Sequence, residues 1–259
     1  MIRSFVFYIG LALCLCCFVS SLKGAEKQFV VVLDAGHGGK DPGAVGRISK
    51  EKDLNLSVAL RVGSMIASKH KDVSVVYTRR SDRFVGLDER ANIANKRNAD
   101  LFISIHANAL ESRSVSGTET YVLGLARSKE NLAVAKRENA AILLEDNYEQ
   151  RYEGFDPRQA ESYIIFEFIQ NKHMQQSIDF ASYVQQGFKG IRRIDRGVKQ
   201  AGFLVLRKTG MPAVLVEMGF ISNLTEEKYM NSSKGQYNIA NAIYKAFAKY
   251  KQAFEKRSL

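Results

Sequence analysis

Short β-branched runs alternate with amphipathic stretches along most of this chain, and that alternation leaves few folds open. Residues 29–33, 73–77, 101–105, 118–123, 203–206 and 214–216 read as strands. Between them, 51–69 carries Leu54, Val58, Val62, Met65 and Ile66 at three- and four-residue spacing, the pattern of a helix with one buried face. Residues 87–96 and 236–254 read as helices too, the last with Ile239, Ile243, Phe247 and Tyr250 on one stripe. The expectation is an α/β fold: a single domain with a mostly parallel twisted sheet, helices on both faces and a helical insert. The insert is residues 129–193, which is long for a simple connection. Within it, AESYIIFEFIQ and Met174, Ile178, Ala181, Val184 and Phe188 predict two further helices.

The first 25 residues have one cation at Arg3, an apolar run from Phe5 to Val19, and then small residues. That order predicts a signal peptide over 1–25 and a catalytic domain over 26–259. Cys14, Cys16 and Cys17 all fall in this leader, so the remainder has no thiol for a disulfide or a metal. Leu13 stands before Cys14 where a lipid-anchored leader carries a small residue, so export to the periplasm is preferred to an envelope anchor. Loss of Arg3 and Lys23 with the leader lowers the formal charge from +11 to +9. Such charge suits anionic envelope polymers. The cations are scattered and no nucleic-acid motif is present, so no nucleic-acid partner is expected.

Four residues carry the chemistry. His37 follows the first strand in a glycine-rich loop, Glu51 opens the first helix, His106 ends LFISI, and Glu217 ends AVLV. In open α/β sheets, ligands gather beyond the carboxyl ends of strands. Two imidazoles and a carboxylate form a three-ligand zinc set that leaves a position for water, and a second carboxylate can move a proton. Each has a blander reading as a satisfied loop or strand-end group, but buried carboxylates and imidazoles are costly unless partnered. The loop GHGGKDPG has neither a P-loop order nor a dinucleotide fingerprint. No GxSxG elbow is present either.

The blocks LDAGHGGKDPGA, EKDLNL, TRRSDRFVGLDERANIAN, ADLFISIHANA, GTETYVLG, RGVKQAGFLVLR and PAVLVEMGFISN occur in this order, and together they resemble the zinc-dependent N-acetylmuramoyl-L-alanine amidases of the amidase_3 type. The resemblance implies a peptidoglycan hydrolase that cleaves the amide between N-acetylmuramic acid and L-alanine of the stem peptide. It puts one Zn2+ per chain on His37, Glu51 and His106, and the catalytic carboxylate on Glu217. Asn108 and Arg207 are candidates for orienting substrate. The insert is similar to that of the amidases acting in cell division, in which a helical segment blocks the zinc through a glutamate until an activator protein displaces it; Glu138 matches that position. The alternatives are a zinc peptidase acting within the stem peptide and a non-catalytic peptidoglycan-binding protein.

Overall fold

The computed structural model describes residues 28–169 and 171–257. The leader and its cysteines lie outside the described residues.

Six strands form one sheet: β1 (Phe29–Ala35), β2 (Val73–Tyr77), β3 (Leu101–Asn108), β4 (Thr118–Leu123), β5 (Asp195–Ala201) and β6 (Ala213–Phe220). Their spatial order is β2-β1-β3-β6-β4-β5, and every neighbouring pair is parallel except β4 and β6. The helices are α1 (Glu51–Lys69), α2 (Leu87–Lys96), α3 (Lys129–Asn139), α4 (Met174–Gly190), α5 (Leu224–Asn231) and α6 (Ser233–Arg257). Helices α1, α4 and α6 cover one face over a core that includes Val31, Leu33, Ile103, Ile105, Val214 and Val216. Helix α2, the earlier part of the insert (residues 129–168) and the turn Leu204–Arg207 cover the other, over Val32, Phe102, Tyr121 and Leu215.

Two local expectations are corrected. The apolar run 203–206 is a buried helical turn, because burial over four residues carries no period that separates strand from helix. The strand lies earlier, at Asp195–Ala201, where an edge position leaves the residues mostly half-buried and removes the apolar signal. The ESYIIFE segment is a 3-10 helix, Glu161–Glu167, leaving Ile164, Ile165 and Phe168 exposed.

The glycine loop is held from below by a buried ionic knot. Asp34 is fully buried and accepts hydrogen bonds from Thr78 Oγ1 at 2.6 Å, Ser104 Oγ at 2.6 Å and Arg90 Nη1 at 2.7 Å. Arg90 also donates to the carbonyls of Ala35 and His37, and Arg79 to those of Ala35 and Gly36. Burial alone would raise the Asp34 carboxyl, but the Arg90 charge and the two hydroxyls outweigh it and hold it below 3.8. A carboxyl held lower in the folded chain contributes stability above its unfolded value and loses it as pH falls through the folded one. Urea resistance is therefore expected to drop below about pH 4, with Asp34 as one contributor. Asp34→Asn should be about 3–5 kcal/mol less stable at pH 7, since Arg90 stays buried without its partner, and should show a shallower acid loss. Urea melts of both chains at pH 7 and pH 3 check this; parallel acid losses would count against it.

Candidate metal centre

Period-two alternation decides which strand residues meet. In β3 the odd positions Leu101 to Ala107 enter the core under α1, so Phe102, Ser104, His106 and Asn108 face the opposite side. The same parity sends Ala213, Leu215 and Glu217 of β6, and Glu119 and Tyr121 of β4, to that side. His106 pairs in register with Glu217, and Glu217 with Glu119. Just beyond, β6 carries one extra residue, since Asn108 pairs with Phe220. Bulges of this kind re-aim side chains next to functional sites.

His37 reaches the same point from the loop after β1, with φ at 61°, a left-handed conformation that is unusual outside glycine. The approach is tight: a Cβ on Gly36 would lie 2.3 Å from the His106 ring, and one on Gly43 would lie 2.6 Å from His37 and 2.7 Å from Glu51. Asp41 Oδ2 sits 2.8 Å from His37 Nδ1, which leaves Nε2 facing the cluster. Glu51 opens α1, where its Oε2 accepts from Ala44 N and its Oε1 accepts from Ala107 N and Asn55 Nδ2.

The cluster is closed by a residue of the insert. Glu138 Oε2 lies 3.0 Å from His37 Nε2 and 2.9 Å from His106 Nδ1, while Glu51 Oε1 lies 3.2 and 3.1 Å from the same atoms. All four side chains are at least nine-tenths buried. Ligands about 2.0–2.1 Å from a tetrahedral ion stand about 3.3–3.4 Å apart, close to these separations. His37 Nε2 and Glu138 Oε2 also make no hydrogen bond despite their proximity, so the atoms converge without the alignment that proton sharing needs. Burial opposes charge on both imidazoles, yet the surrounding carboxylates raise His37 well above its ordinary range and push His106 up to about 9. Glu51 and Glu138 are displaced downward, against burial, by those imidazoles. Such a site favours concentrated positive charge, and its donor set fits one divalent metal ion.

Glu217 is fully buried, and among the described residues neither of its oxygens has a hydrogen-bond partner. Burial, then the Glu138 charge, raise its carboxyl well above the ordinary range, against the pull of Arg137 at 3.7 Å. Glu119 beside it is the opposite case. It accepts from Asn108, Tyr121, Arg196 and Lys199, and these donors hold it low despite burial.

The insert is tied down by several contacts around the site. Glu138 enters the metal cluster; Asn139 donates to Gly202 O and accepts from Leu204 N; and Glu145 accepts from Leu87 N at the start of α2 and from the Tyr152 hydroxyl. Behind the imidazoles a small internal cavity, lined by Asp34, Arg90, Leu215, His37, His106 and Glu138, has about 10 Å³ of room, on the order of one water.

Of the residues singled out by sequence, His37, Glu51, His106, Glu138, Glu217 and Asn108 are brought together. Arg207 is not: it closes the helical turn and lines a separate cleft with Leu123, Lys172 and Thr209. Sequence reasoning did not single out Asp41, Glu119 or Arg137. Asp41 had a local signal, four residues from His37 in the loop; Glu119 had none beyond lying inside the GTETYVLG block, and Arg137 none beyond standing next to Glu138.

Residues 31–249 match the family model for amidase_3, N-acetylmuramoyl-L-alanine amidase. The chain belongs to this amidase family. Among amidase relatives, AmiC of Escherichia coli O6:H1 is 34% identical over 88% of this chain, which spans only 54% of that protein's length. AmiA of Escherichia coli K12 is 33% identical, covering 87% of this chain and 77% of its own. Of solved amidases, the catalytic domain of CwlV from Bacillus (Paenibacillus) polymyxa var. colistinus superposes with a TM-score of 0.64 at 32% identity, covering 86% of this chain and 98% of that one. The CwlD amidase of Clostridioides difficile, solved in complex with the GerS lipoprotein, gives 0.64 at 26% identity, with 87% and 99% covered.

Proposed function

We propose that this chain is a zinc-dependent peptidoglycan amidase that hydrolyses the bond between the lactyl group of N-acetylmuramic acid and L-alanine of the stem peptide. The observation that carries the reading is Glu217, a buried carboxylate with no hydrogen-bond partner, in register beside His106 in a chain of the amidase family. His37, Glu51 and His106 would hold zinc, which when bound polarises a carbonyl and makes water more acidic. Glu217 takes a proton from the attacking water and returns it to the departing L-alanine amine, so that one C–O bond forms as the C–N bond breaks. Among the described residues no hydrogen bond reaches its oxygens, and the neighbouring Arg137 guanidinium at 3.7 Å belongs to the insert. Asp41 holds the His37 ring so that Nε2 points to the ion, the usual outer partner of a metal-bound imidazole. Asp41→Ala is expected to weaken zinc binding about 10–100-fold, measured by chelator competition, with little change in secondary structure. Unchanged affinity would remove Asp41 from that role.

The conformation described is an inhibited one, in which Glu138 takes the position that water or substrate needs. The approach of Glu138 Oε2 to 3.0 Å from His37 Nε2 and 2.9 Å from His106 Nδ1, with its side chain buried, supports this. The exposed Ile164, Ile165 and Phe168 on the same insert offer an apolar face for an activator protein that draws it away. An exported, periplasmic enzyme agrees with the leader-like first 25 residues, and a role in cell division rests on the likeness of the insert to that of the cell-division amidases. Among the described residues no helix is long and apolar enough to cross a membrane.

The test is mass spectrometry of products after incubating the zinc-loaded chain with purified sacculi. Free peptides with an intact amino-terminal L-alanine support the amidase. Cleavage inside the stem would mean a peptidase, and binding without release would mean a non-catalytic protein.

A further inference from the structure

The insert reaches the site with two neighbouring side chains, and the second has its own target. While Glu138 turns its Oε2 to the metal cluster and accepts from Arg137 Nε and Nη2 on Oε1, Arg137 also donates from Nη1 to Ala109 O at 2.5 Å and from Nη2 to Asn108 Oδ1 at 3.0 Å. The same guanidinium is 3.7 Å from Glu217 Oε1. These acceptors stand at the carboxyl end of β3, directly beyond His106.

Asn108 is oriented independently of the insert. Its Nδ2 donates to Glu119 Oε2, and Glu119 is itself fixed by Tyr121, Arg196 and Lys199. Its Oδ1 is therefore presented toward the site whether or not Arg137 is there. Among the described residues, no other side chain donates to Asn108 Oδ1 or Ala109 O. When the insert leaves, two aligned acceptors beside the reacting centre lose their donor and become available to another.

Resting on the amidase reading, we infer that Asn108 Oδ1 and Ala109 O form a subsite for backbone N–H groups of the stem peptide, and that Arg137 occupies it as a substrate mimic. A scissile amide held between the metal cluster and Glu217 carries its peptide across the end of β3, where its N–H groups replace the guanidinium. Inhibition is thus double: Glu138 blocks the metal position and Arg137 the peptide position.

The test uses the zinc-loaded chain with Glu217→Gln to stop turnover and Glu138→Ala to open the metal position, titrated calorimetrically with an uncharged-amide muramoyl dipeptide that has no amine. Arg137→Ala is expected to tighten binding about tenfold. Asn108→Ala should weaken it about tenfold when Arg137 is absent and far less when Arg137 is present, because the two compete for one place. Arg137 is 28% exposed on a helix, so its replacement leaves no core void and reads the competition even if Asn108→Ala fails to fold. Zinc stoichiometry should stay constant across the Arg137 pair, and both chains should unfold in one cooperative transition. Affinity indifferent to Arg137→Ala, or additive effects of the two substitutions, would overturn the subsite alone. No binding in any folded variant would overturn it together with the amidase reading.

Discussion

Glu217→Gln is expected to reduce release of stem peptides from sacculi by about 10²–10⁴-fold while zinc content and stability remain close to those of the parent. The size follows from position. Glu217 lies in register beside His106 and is the carboxylate of the site that neither joins the four-residue metal cluster nor is satisfied by donors. Glutamine has nearly the same shape but cannot take a proton from water, so the loss should fall on kcat rather than on KM. Stability should not suffer, because an uncharged amide relieves a buried carboxylate placed near the negative charge of Glu138. Peptide release that survives the substitution would remove Glu217 from the proton-transfer role.

Glu138→Ala is expected to act in the opposite direction, raising the basal activity of the zinc-loaded chain about 100-fold. A buried charged ligand is worth several kcal/mol to the closed form, and about 3 kcal/mol shifts an opening equilibrium by roughly two orders of magnitude. The rest of the insert does not depend on the metal. Asn139 still spans Gly202 and Leu204, and Glu145 still accepts from Leu87 N and Tyr152. Adding Glu145→Gln should therefore raise activity further and make the insert more sensitive to limited proteolysis. Sacculus release assays with equal zinc loading measure both steps. Activity unchanged by Glu138→Ala would leave the insert as a fixed wall of the groove.

Much of the candidate site was legible because its residues break local rules. His106 and Glu217 end apolar strand runs where a polar group needs a reason, Glu51 stands at a helix start, and His37 follows a glycine-rich turn. Glu138 came from resemblance alone, since nothing local separates it from any other helix glutamate. Asp34, Arg79 and Arg90 were hidden for another reason. Their meaning is a set of buried hydrogen bonds to residues more than 40 positions away. The strand Asp195–Ala201 was hidden because an edge strand need not be apolar.

The sequence by itself determined the alternating α/β plan, the strand-end location of the chemistry and the family, because periodicity and ordered blocks are local records of burial and of backbone demands. Only the tertiary structure decided that strand parity lines His106, Glu217 and Glu119 along one face. Only it brought Arg137 onto Asn108 and Asp41 onto His37, and left Arg207 in a different cleft. Except for the loop pair of Asp41 and His37, those are distances between residues far apart in the chain, set by how the insert packs over the sheet, and no local pattern encodes them.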